Sequence, residues 1–330
     1  MSTYSIISLE EEREWRCALR GIPHAVAHTW EHCRAMHLSS GLETFLYHFA
    51  GDSARLVCAF AERKYQGTTD ICTPSGFSGF VGNGCNPESL ECWNRLMVER
   101  ECVCGYVALH PTLSDPSWFD RELHRYATAY SLDLALPQAE MYRKMSKGQR
   151  GALRRADMEH VHVWIGTAEV KTFFARCFHE AHRRRKAGKP YRLSNATLAS
   201  LTEMDNILFI GAGRHEVESV TAFGFTPFSA DALYNVSFAP DASFSTVLFW
   251  TAVREFQERG IPVLNLGVGF SADDGLTRYK RSLGATERPL YCLKQVYDHA
   301  AYAKLCEQAG LSDADSTGYF PPHRSTTRFR

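Results

Sequence analysis

The stretch that decides the fold runs from Gly260 to Gly284 and reads GIPVLNLGVGFSADDGLTRYKRSLG. A helical pattern over 244–259 precedes it, and Gly260 with Pro262 close behind is typical of a helix C-terminus. Residues 263–266 then predict a short buried strand directly after this stop. A long helix that leads straight into a buried strand predicts a strand–helix–strand crossover in this half of the chain.

Both halves of the chain follow a similar order of elements. The second half shows predicted helices at 168–187 and 196–205, followed by predicted strands at 207–212, 217–225 and 233–238. The first half shows predicted helices at 30–39 and 87–101 and predicted strands at 45–47, 56–60, 103–109 and 132–136. Two such halves predict an α+β fold, in which mixed, mostly antiparallel sheets are flanked by helices.

A change of composition after Pro137 marks the predicted domain boundary. Residues 141–156 read MYRKMSKGQRGALRRA, with six cations and no acid, and predict a basic linker helix. We therefore place one domain at 1–138 and a second at 139–330, with a tail at 291–330 that packs back on the first domain. Four cations of the linker have the spacing i, i+4, i+7 and i+11 and would share one helix face: Arg143, Lys147, Arg150 and Arg154.

The composition excludes several classes of protein. The 330 residues contain 37 Lys and Arg against 37 Asp and Glu, which excludes a protein that coats DNA or an anionic membrane by bulk charge. No apolar run approaches the roughly 20 residues that a membrane span requires, and the first thirty residues carry no apolar signal core, so we expect a cytoplasmic protein. The eleven cysteines form no Cys-x-x-Cys pair, so we expect buried thiols and no metal site.

The stretch 260–284 resembles the FemABX-like branch of the GNAT acyltransferase superfamily. In that family a strand is followed by a Gly-x-Gly-type loop and then by the segment Gly-Leu-x-x-Phe-Lys-x-x-Phe-Gly. A tyrosine and a leucine replace the two phenylalanines here, and the matching positions are Gly275, Leu276, Tyr279, Lys280, Leu283 and Gly284. Three further segments are similar to the family's, at 75–79, 150–156 and 234–238, and the resemblance covers residues 30–324.

The resemblance implies two tandem GNAT-like domains and direct transfer of an activated acyl group to an amine, with no covalent enzyme intermediate and no cofactor. Attack of the amine on an ester or thioester creates an oxyanion, which fixed hydrogen-bond donors must stabilise. Lys280 is the candidate donor, and Tyr279 is the second catalytic candidate. The candidate substrate-binding residues are Tyr234, Asn235, Ser237, Asn265, Gly267 and Gly269.

A purely structural interpretation is open for the same residues. The glycines could be turn residues that need a positive φ, and Tyr279 could belong to the core. The polar residues Asn235, Ser237 and Asn265 on otherwise apolar strands favour a site, because buried polar groups need partners.

Two acyl donors are consistent with the resemblance. Aminoacyl-tRNA, which characterised relatives use, is favoured because RNA binding requires clustered cations. The candidate donor-binding residues are Arg143, Lys147, Arg150 and Arg154, and a second basic cluster lies at 183–192. The alternative is acyl-CoA such as acetyl-CoA, used by an N-acyltransferase that acts on an amino sugar or similar acceptor. The loop 239–245 counts against it, because the loop lacks glycine and Asp241 would face the pyrophosphate.

The predicted acceptor is the amine of a small molecule or peptide, and Asp133 or Asp231 could take its proton. A different class of function is also open, in which the double fold binds RNA or another ligand without catalysis.

Overall fold

The computed structural model describes residues 2–119, 122–185, 188, 192–238, 243–269, 274–312 and 318–325. The chain forms two compact units: unit 1 comprises Met1–Tyr126 and Leu290–Arg330, and unit 2 comprises Ala127–Pro289. The boundaries fall inside two strands, β7 (Leu123–Asp133) and β13 (Thr286–Val296). Unit 1 is therefore discontinuous in sequence, and unit 2 is continuous.

Unit 1 is a mostly antiparallel sheet with helices packed on it. Besides the parts of β7 and β13 that it contains, its elements are β1 (Thr3–Ser8), α1 (Glu12–Leu19), α2 (Trp30–Ser40), β2 (Thr44–Ala50), β3 (Arg55–Tyr65), β4 (Thr68–Cys72), β5 (Val81–Gly82), α3 (Pro87–Glu99) and β6 (Cys102–Ala108). The strand order is β1-β2-β3-β4-β6-β13, with β5 beside β3, and β4 and β6 are parallel. Trp93 of α3 packs on this sheet, with its ring against those of Tyr47, Phe60 and Phe80.

The strands of unit 2 pair in a mixed arrangement, with helices on both faces. Besides its parts of β7 and β13, its elements are α4 (Gln138–Lys144), α5 (Lys147–Met158), β8 (His162–Ile165), α6 (Ala168–Arg184), α7 (Asn195–Glu203), β9 (Ile207–Gly213), β10 (Ser219–Phe225), β11 (Ala230–Ser237), α8 (Ser243–Glu258), β12 (Val263–Val268) and α9 (Gly275–Ser282). The strand order is β7-β12-β11-β10-β9-β8, and β11 and β12 are parallel. Helix α8 covers one face through Phe223, and α6 covers the other through Phe209 and Tyr234.

The predicted α+β class with mixed, mostly antiparallel sheets is confirmed, but the units do not follow the predicted domain boundary. The tail at 291–330, which the prediction assigned to the second domain while expecting it to pack back on the first, belongs to unit 1 together with Leu290. The reason is that β13 pairs with β6, and the helix that follows β13, α10 (His299–Gln308), also packs on β6.

The predicted single basic helix over 141–156 is wrong, because two helices, α4 and α5, occupy the segment. Met145 is extended, with a ψ of 146°, and the Ser146 hydroxyl starts α5 by accepting a hydrogen bond from the Gln149 amide. Arg143 therefore lies on α4 while Lys147, Arg150 and Arg154 lie on α5, and the four cations do not share one helix face.

The C-terminal segment is fastened to unit 1 through the buried carboxylate of Asp70. Arg63 donates to Oδ1 of Asp70 from Nε at 2.7 Å, and Arg324 donates to Oδ2 from its own Nε. Arg324 also donates to the Arg63 carbonyl at 3.1 Å, and Phe320 stacks on Tyr302 at 5.9 Å between ring centres. One carboxylate thus joins β3 and β4 to the end of the chain.

Replacing Asp70 with asparagine is expected to lower the free energy of unfolding by about 3–5 kcal/mol, the usual effect of removing one partner of a buried ion pair. The two guanidinium groups of Arg63 and Arg324, which are each 16% exposed, would lose their shared counter-charge. Urea denaturation measures the change. The control is Glu12→Gln, which breaks an exposed pair with Arg16 and should cost no more than about 0.5 kcal/mol. Equal stability of the two variants would contradict the prediction.

Candidate active site

The strands β11 and β12 of unit 2 separate at their C-terminal ends. Among the described residues their last paired positions are Asp231 and Asn265. Shortly beyond this pair, the register between β10 and β11 shifts by one residue, at Leu233, which bends β11. Strand β12 instead continues to Val268, which pairs with Ala129 of β7. Within the part of the chain that the structure describes, β11 and β12 are therefore not paired over their C-terminal halves, and we call the gap between these halves the opening.

A second bulge shapes the end of β12. Two residues of β12, including Gly267, lie opposite the single residue Tyr130 of β7. Gly267 has a φ of +72°, a conformation that favours glycine. Its amide donates to Oδ1 of Asn265 at 2.9 Å, and Nδ2 of Asn265 donates to Oδ1 of Asp231 at 2.9 Å. The buried pair of Asp231 and Asn265 therefore fixes the bulge.

Lys280 of α9 places its ammonium group at this bulge. The side chain is buried, with 5% exposure, and Nζ donates to the Val268 carbonyl at 2.6 Å. Nζ also lies 5.9 Å from the centre of the Tyr130 ring, and a Cβ at Gly267 would lie 3.8 Å from it. Burial lowers the pKa of Lys280 to about 8, and the carboxylate of Asp274 opposes this effect. The site thus holds a desolvated cation beside the opening.

Tyr279, the second catalytic candidate, packs on the other side of α9. Its ring lies 6.1 Å from the ring of Phe249, and it belongs to the core between α8, α9 and the sheet. Burial raises the pKa of Tyr279 well above its ordinary value, and the hydroxyl of Thr246 opposes this rise. The phenol is therefore neutral at physiological pH, and a catalytic role for it stays a prediction.

Tyr234 and Ser237 lie on β11 beyond the last pair with β12. The Tyr234 ring packs against Phe174 and Phe178 of α6 and is 9% exposed. Ser237 is half-buried and lies opposite Ser219 of β10. Tyr234 thus contributes to the core under α6.

Asn235 is engaged by the end of helix α6. Arg185 donates to the main-chain oxygen of Asn235 at 2.8 Å and to its Oδ1 at 2.9 Å, while Nδ2 of Asn235 donates to Thr221 at 2.9 Å. Burial lowers the pKa of Arg185. Arg185, which belongs to the second basic cluster, therefore lies at the C-terminal end of β11, where Asn235 holds it.

The remaining glycine and asparagine candidates lie in the bulge of β12 or directly after that strand. Asn265 and Gly267 form the bulge described above, and Gly269 directly follows β12 and is half-buried. The positive φ of Gly267 confirms the interpretation of this glycine as a turn residue, and the same conformation brings its main chain next to the ammonium group.

The predicted donor-binding cations differ in their surroundings. Arg143, Lys147 and Arg154 are exposed. Arg150 is half-buried, because its guanidinium donates to the Arg143 carbonyl at 3.1 Å and to the Met145 carbonyl. Arg150 thus closes the turn between α4 and α5, and the other three of these four cations are exposed.

The second basic cluster is partly neutralised by its own helix. Arg183 and Arg184 both bind Glu180, at 2.7 Å in each case. Lys186 and Lys189 lie outside the described residues. The same holds for residues 239–242 of the loop 239–245, whose lack of glycine counts against a pyrophosphate site.

The two candidate general bases lie at different places on the sheet. Asp133 pairs with Val263 at the N-terminal end of β12, where its carboxylate accepts a hydrogen bond from the Ala135 amide. That position is five residues, or roughly 16 Å along the strand, from Val268. Asp231 is buried and bound to Asn265, next to the bulge. Of the two, only Asp231 shares a hydrogen-bond network with the Lys280 site.

Two residues of the site carried no sequence signal. Tyr130 lies outside the strand predicted at 132–136, and Val268 contributes only its main-chain carbonyl, which no side-chain pattern reveals. Within the described parts of the chain, no group of three His, Cys, Asp or Glu residues could hold a metal ion. Among the helices of those parts, none combines the length and the apolar character that a bilayer span needs.

Comparison with known proteins shows the fold. No family model matches the chain, and no curated protein sequence gives a significant match. FemX is similar in structure, with a TM-score of 0.68 and 11% identity over 92% of this chain and 99% of its own. A conserved protein of unknown function from Bacteroides thetaiotaomicron has a TM-score of 0.61 and 9% identity over 90% of this chain and all of its own.

A third similar structure is the C-terminal domain of a putative lysylphosphatidylglycerol synthetase from Agrobacterium fabrum. Its TM-score is 0.54, with 11% identity over 91% of this chain and 94% of that domain. The chain therefore has the two-part fold of the FemX type, as the resemblance of its sequence implied.

Gly284, the last residue of the motif, is required by a close approach of main chain. Its φ is +84°, and a Cβ there would lie 2.9 Å from Cβ of Lys144 and 3.1 Å from the Lys144 carbonyl. Gly284→Ala is expected to lower the free energy of unfolding by about 2–5 kcal/mol, the sum of left-handed strain and overpacking.

The control is Gly260→Ala, since Gly260 has a φ of +69° but open space around it. This variant should cost only the strain of about 1–2 kcal/mol. Thermal or urea unfolding of both variants separates the two contributions, and equal losses would show that the approach of Lys144 imposes no constraint.

Proposed function

We propose that this chain is an acyltransferase that forms an amide bond by moving an activated acyl group from a carrier to the amine of a small molecule or peptide. The observation that carries the proposal is the buried Lys280 ammonium, which Val268 holds at the opening between β11 and β12. A cation is costly to bury, so its place at an opening favours a role in binding developing negative charge.

The chemistry that fits this geometry is direct aminolysis. The acceptor amine attacks the acyl carbonyl, a C–N bond forms, and the carbonyl oxygen becomes an oxyanion. The ammonium of Lys280 donates to that oxygen; the intermediate then collapses, the C–O or C–S bond to the carrier breaks, and the amine proton passes to the leaving group or to solvent. Lys280 need not change its protonation state, so a lysine that is charged below about pH 8 suits the task.

The favoured acyl carrier is aminoacyl-tRNA. The resemblance to the FemABX-like branch supports it, and so do the exposed cations of α4 and α5, Arg143, Lys147 and Arg154, which offer phosphate contacts. Acyl-CoA remains the second candidate, for which Arg185 at the end of β11 is a possible phosphate ligand because its guanidinium is already oriented by Asn235.

Two labelled carriers distinguish these donors. The protein is incubated with tRNA charged with a mixture of radiolabelled amino acids, or with radiolabelled acetyl-CoA, together with a small-molecule extract as the source of amines. We expect label to move from tRNA into a small, alkali-stable product, because an amide resists the mild base that cleaves the tRNA ester. Transfer from acetyl-CoA alone would select the second donor. Binding of tRNA without any transfer would favour a non-catalytic binding protein.

Lys280→Ala is expected to lower kcat by about 10²–10³-fold, the usual effect of losing one oxyanion donor. The same assay measures it, and the control is Arg278→Ala, which removes an exposed cation from the same helix. Full activity of Lys280→Ala would refute the proposed role.

The pH dependence tests the protonation state of Lys280. Burial lowers its pKa to about 8, so the ammonium form predominates below pH 8 and is lost as the pH rises. The rate of transfer should therefore fall above about pH 8, and Lys280→Arg, which keeps its charge, should abolish this fall. A rate that instead rises through pH 8 would identify the neutral amine as the active form and contradict the oxyanion role.

A further inference from the structure

The side chain of Gln149 joins three helices of unit 2. Its Nε2 donates to Oγ of Ser282 in α9 at 2.8 Å, and its Oε1 accepts a hydrogen bond from Thr246 in α8 at 2.5 Å. Gln149 itself lies in the first turn of α5. Both ends of the amide are therefore used, one as a donor and one as an acceptor.

The link continues to the peptide bond of Lys280. The Ser282 hydroxyl that accepts from Gln149 donates in turn to the Tyr279 carbonyl at 2.7 Å. That carbonyl belongs to the peptide unit that joins Tyr279 to Lys280. Two hydrogen bonds in series thus connect Gln149 to the main chain from which Lys280 projects.

Helix α9 needs such an external support. It has eight residues, and helices of this length are not stable by themselves in water, so tertiary contacts must set its orientation. The segment 144–149 supplies several of these contacts at the C-terminal end: the Ser146 amide donates to the Ser282 carbonyl at 2.8 Å, and Gly284 packs against the main chain of Lys144.

We propose that Gln149 is a positioning residue that sets the place of the Lys280 ammonium by fixing the C-terminal turn of α9. The inference rests on the proposed function of Lys280, although Gln149 itself touches neither the ammonium group nor the opening. The same amide also fixes α5, so the exposed cations Lys147 and Arg154 keep a constant position relative to Lys280.

The test uses Gln149→Leu, which keeps the size of the side chain and removes both hydrogen bonds. Its matched control is Gln257→Leu, because Gln257 of α8 also makes two side-chain hydrogen bonds to other segments, to the carbonyls of Leu134 at 2.9 Å and Leu136 at 2.7 Å, and neither bond reaches α9. A second route is Ser282→Ala, which breaks the link to the Tyr279 carbonyl without changing α5 and serves if Gln149→Leu fails to fold.

The first measurement does not depend on the substrate. Each variant is treated with trace radiolabelled acetic anhydride between pH 6 and 11, and the labelling of the peptide that contains Lys280 is followed by mass spectrometry. We expect the apparent pKa of Lys280 to rise from about 8 toward its ordinary value in Gln149→Leu and Ser282→Ala, because a loosened α9 lets water reach the ammonium. In Gln257→Leu it should not move.

The second measurement uses the transfer assay. Gln149→Leu should lower kcat about tenfold with little change in KM for the carrier, whereas Gln257→Leu should leave both unchanged at equal loss of stability. Unchanged kcat and unchanged Lys280 titration in both Gln149→Leu and Ser282→Ala would overturn the inference. A shift of the Lys280 pKa in Gln257→Leu would overturn it as well, because the effect would then be a general loosening.

The proposed function fails separately from this inference. If Lys280→Ala abolishes transfer while Gln149→Leu changes nothing, the positioning role is refuted and the function of Lys280 stands. If Lys280→Ala transfers at the full rate, the proposed function is refuted, and a shift of the Lys280 pKa in Gln149→Leu would still establish the link between the two residues.

Discussion

The hydrogen bond from the Lys280 ammonium to the Val268 carbonyl joins α9 to the end of β12, and the arrangement of the candidate site depends on it. A buried cation requires a hydrogen-bond acceptor, and the Val268 carbonyl at the end of β12 provides one beside the bulge. The bulge requires Gly267 in a left-handed conformation, and Asn265 with Asp231 holds it in that form. Except for Asp231, these residues lie in one short segment, 265–280, and together they hold the ammonium group at the end of β12.

Local signals were sufficient for some of the regular elements, such as α8. The stop at Gly260 and Pro262 gave the end of α8 to within a residue, because helix termination depends on neighbours in sequence. The break between α4 and α5 was missed, since the cations of that segment read as one amphipathic helix while a single serine cap and the contacts of α9 decide otherwise. The tail at 291–330 was expected to pack on the first domain, but strand β13 itself was not predicted, because its pairing with the distant strand β6 leaves no local signal.

The residues of the candidate site likewise divide into those that a local sequence signal reveals and those that it does not. The motif was sufficient to find Lys280, Gly267 and Gly284, because these residues lie in one short segment and their relative positions follow from their spacing in it. Gln149 could not be found, since it lies more than a hundred residues away and is polar in a segment that is already polar. Tyr234 was assigned to the site from its strand, but alternation along β11 turns its ring toward α6. Which face a strand residue occupies depends on bulges that leave no mark in composition.

Because unit 1 is discontinuous in sequence, its second segment is synthesised only after the whole of unit 2. Unit 2 is built from one uninterrupted segment, so all of its contacts are available once residue 289 has been made. Unit 1 depends on later residues, because β6 lacks β13 and Asp70 lacks Arg324 until residues 290–324 have been added. A nascent chain therefore exposes an N-terminal sheet without one of its strands for as long as the whole of unit 2 is being made.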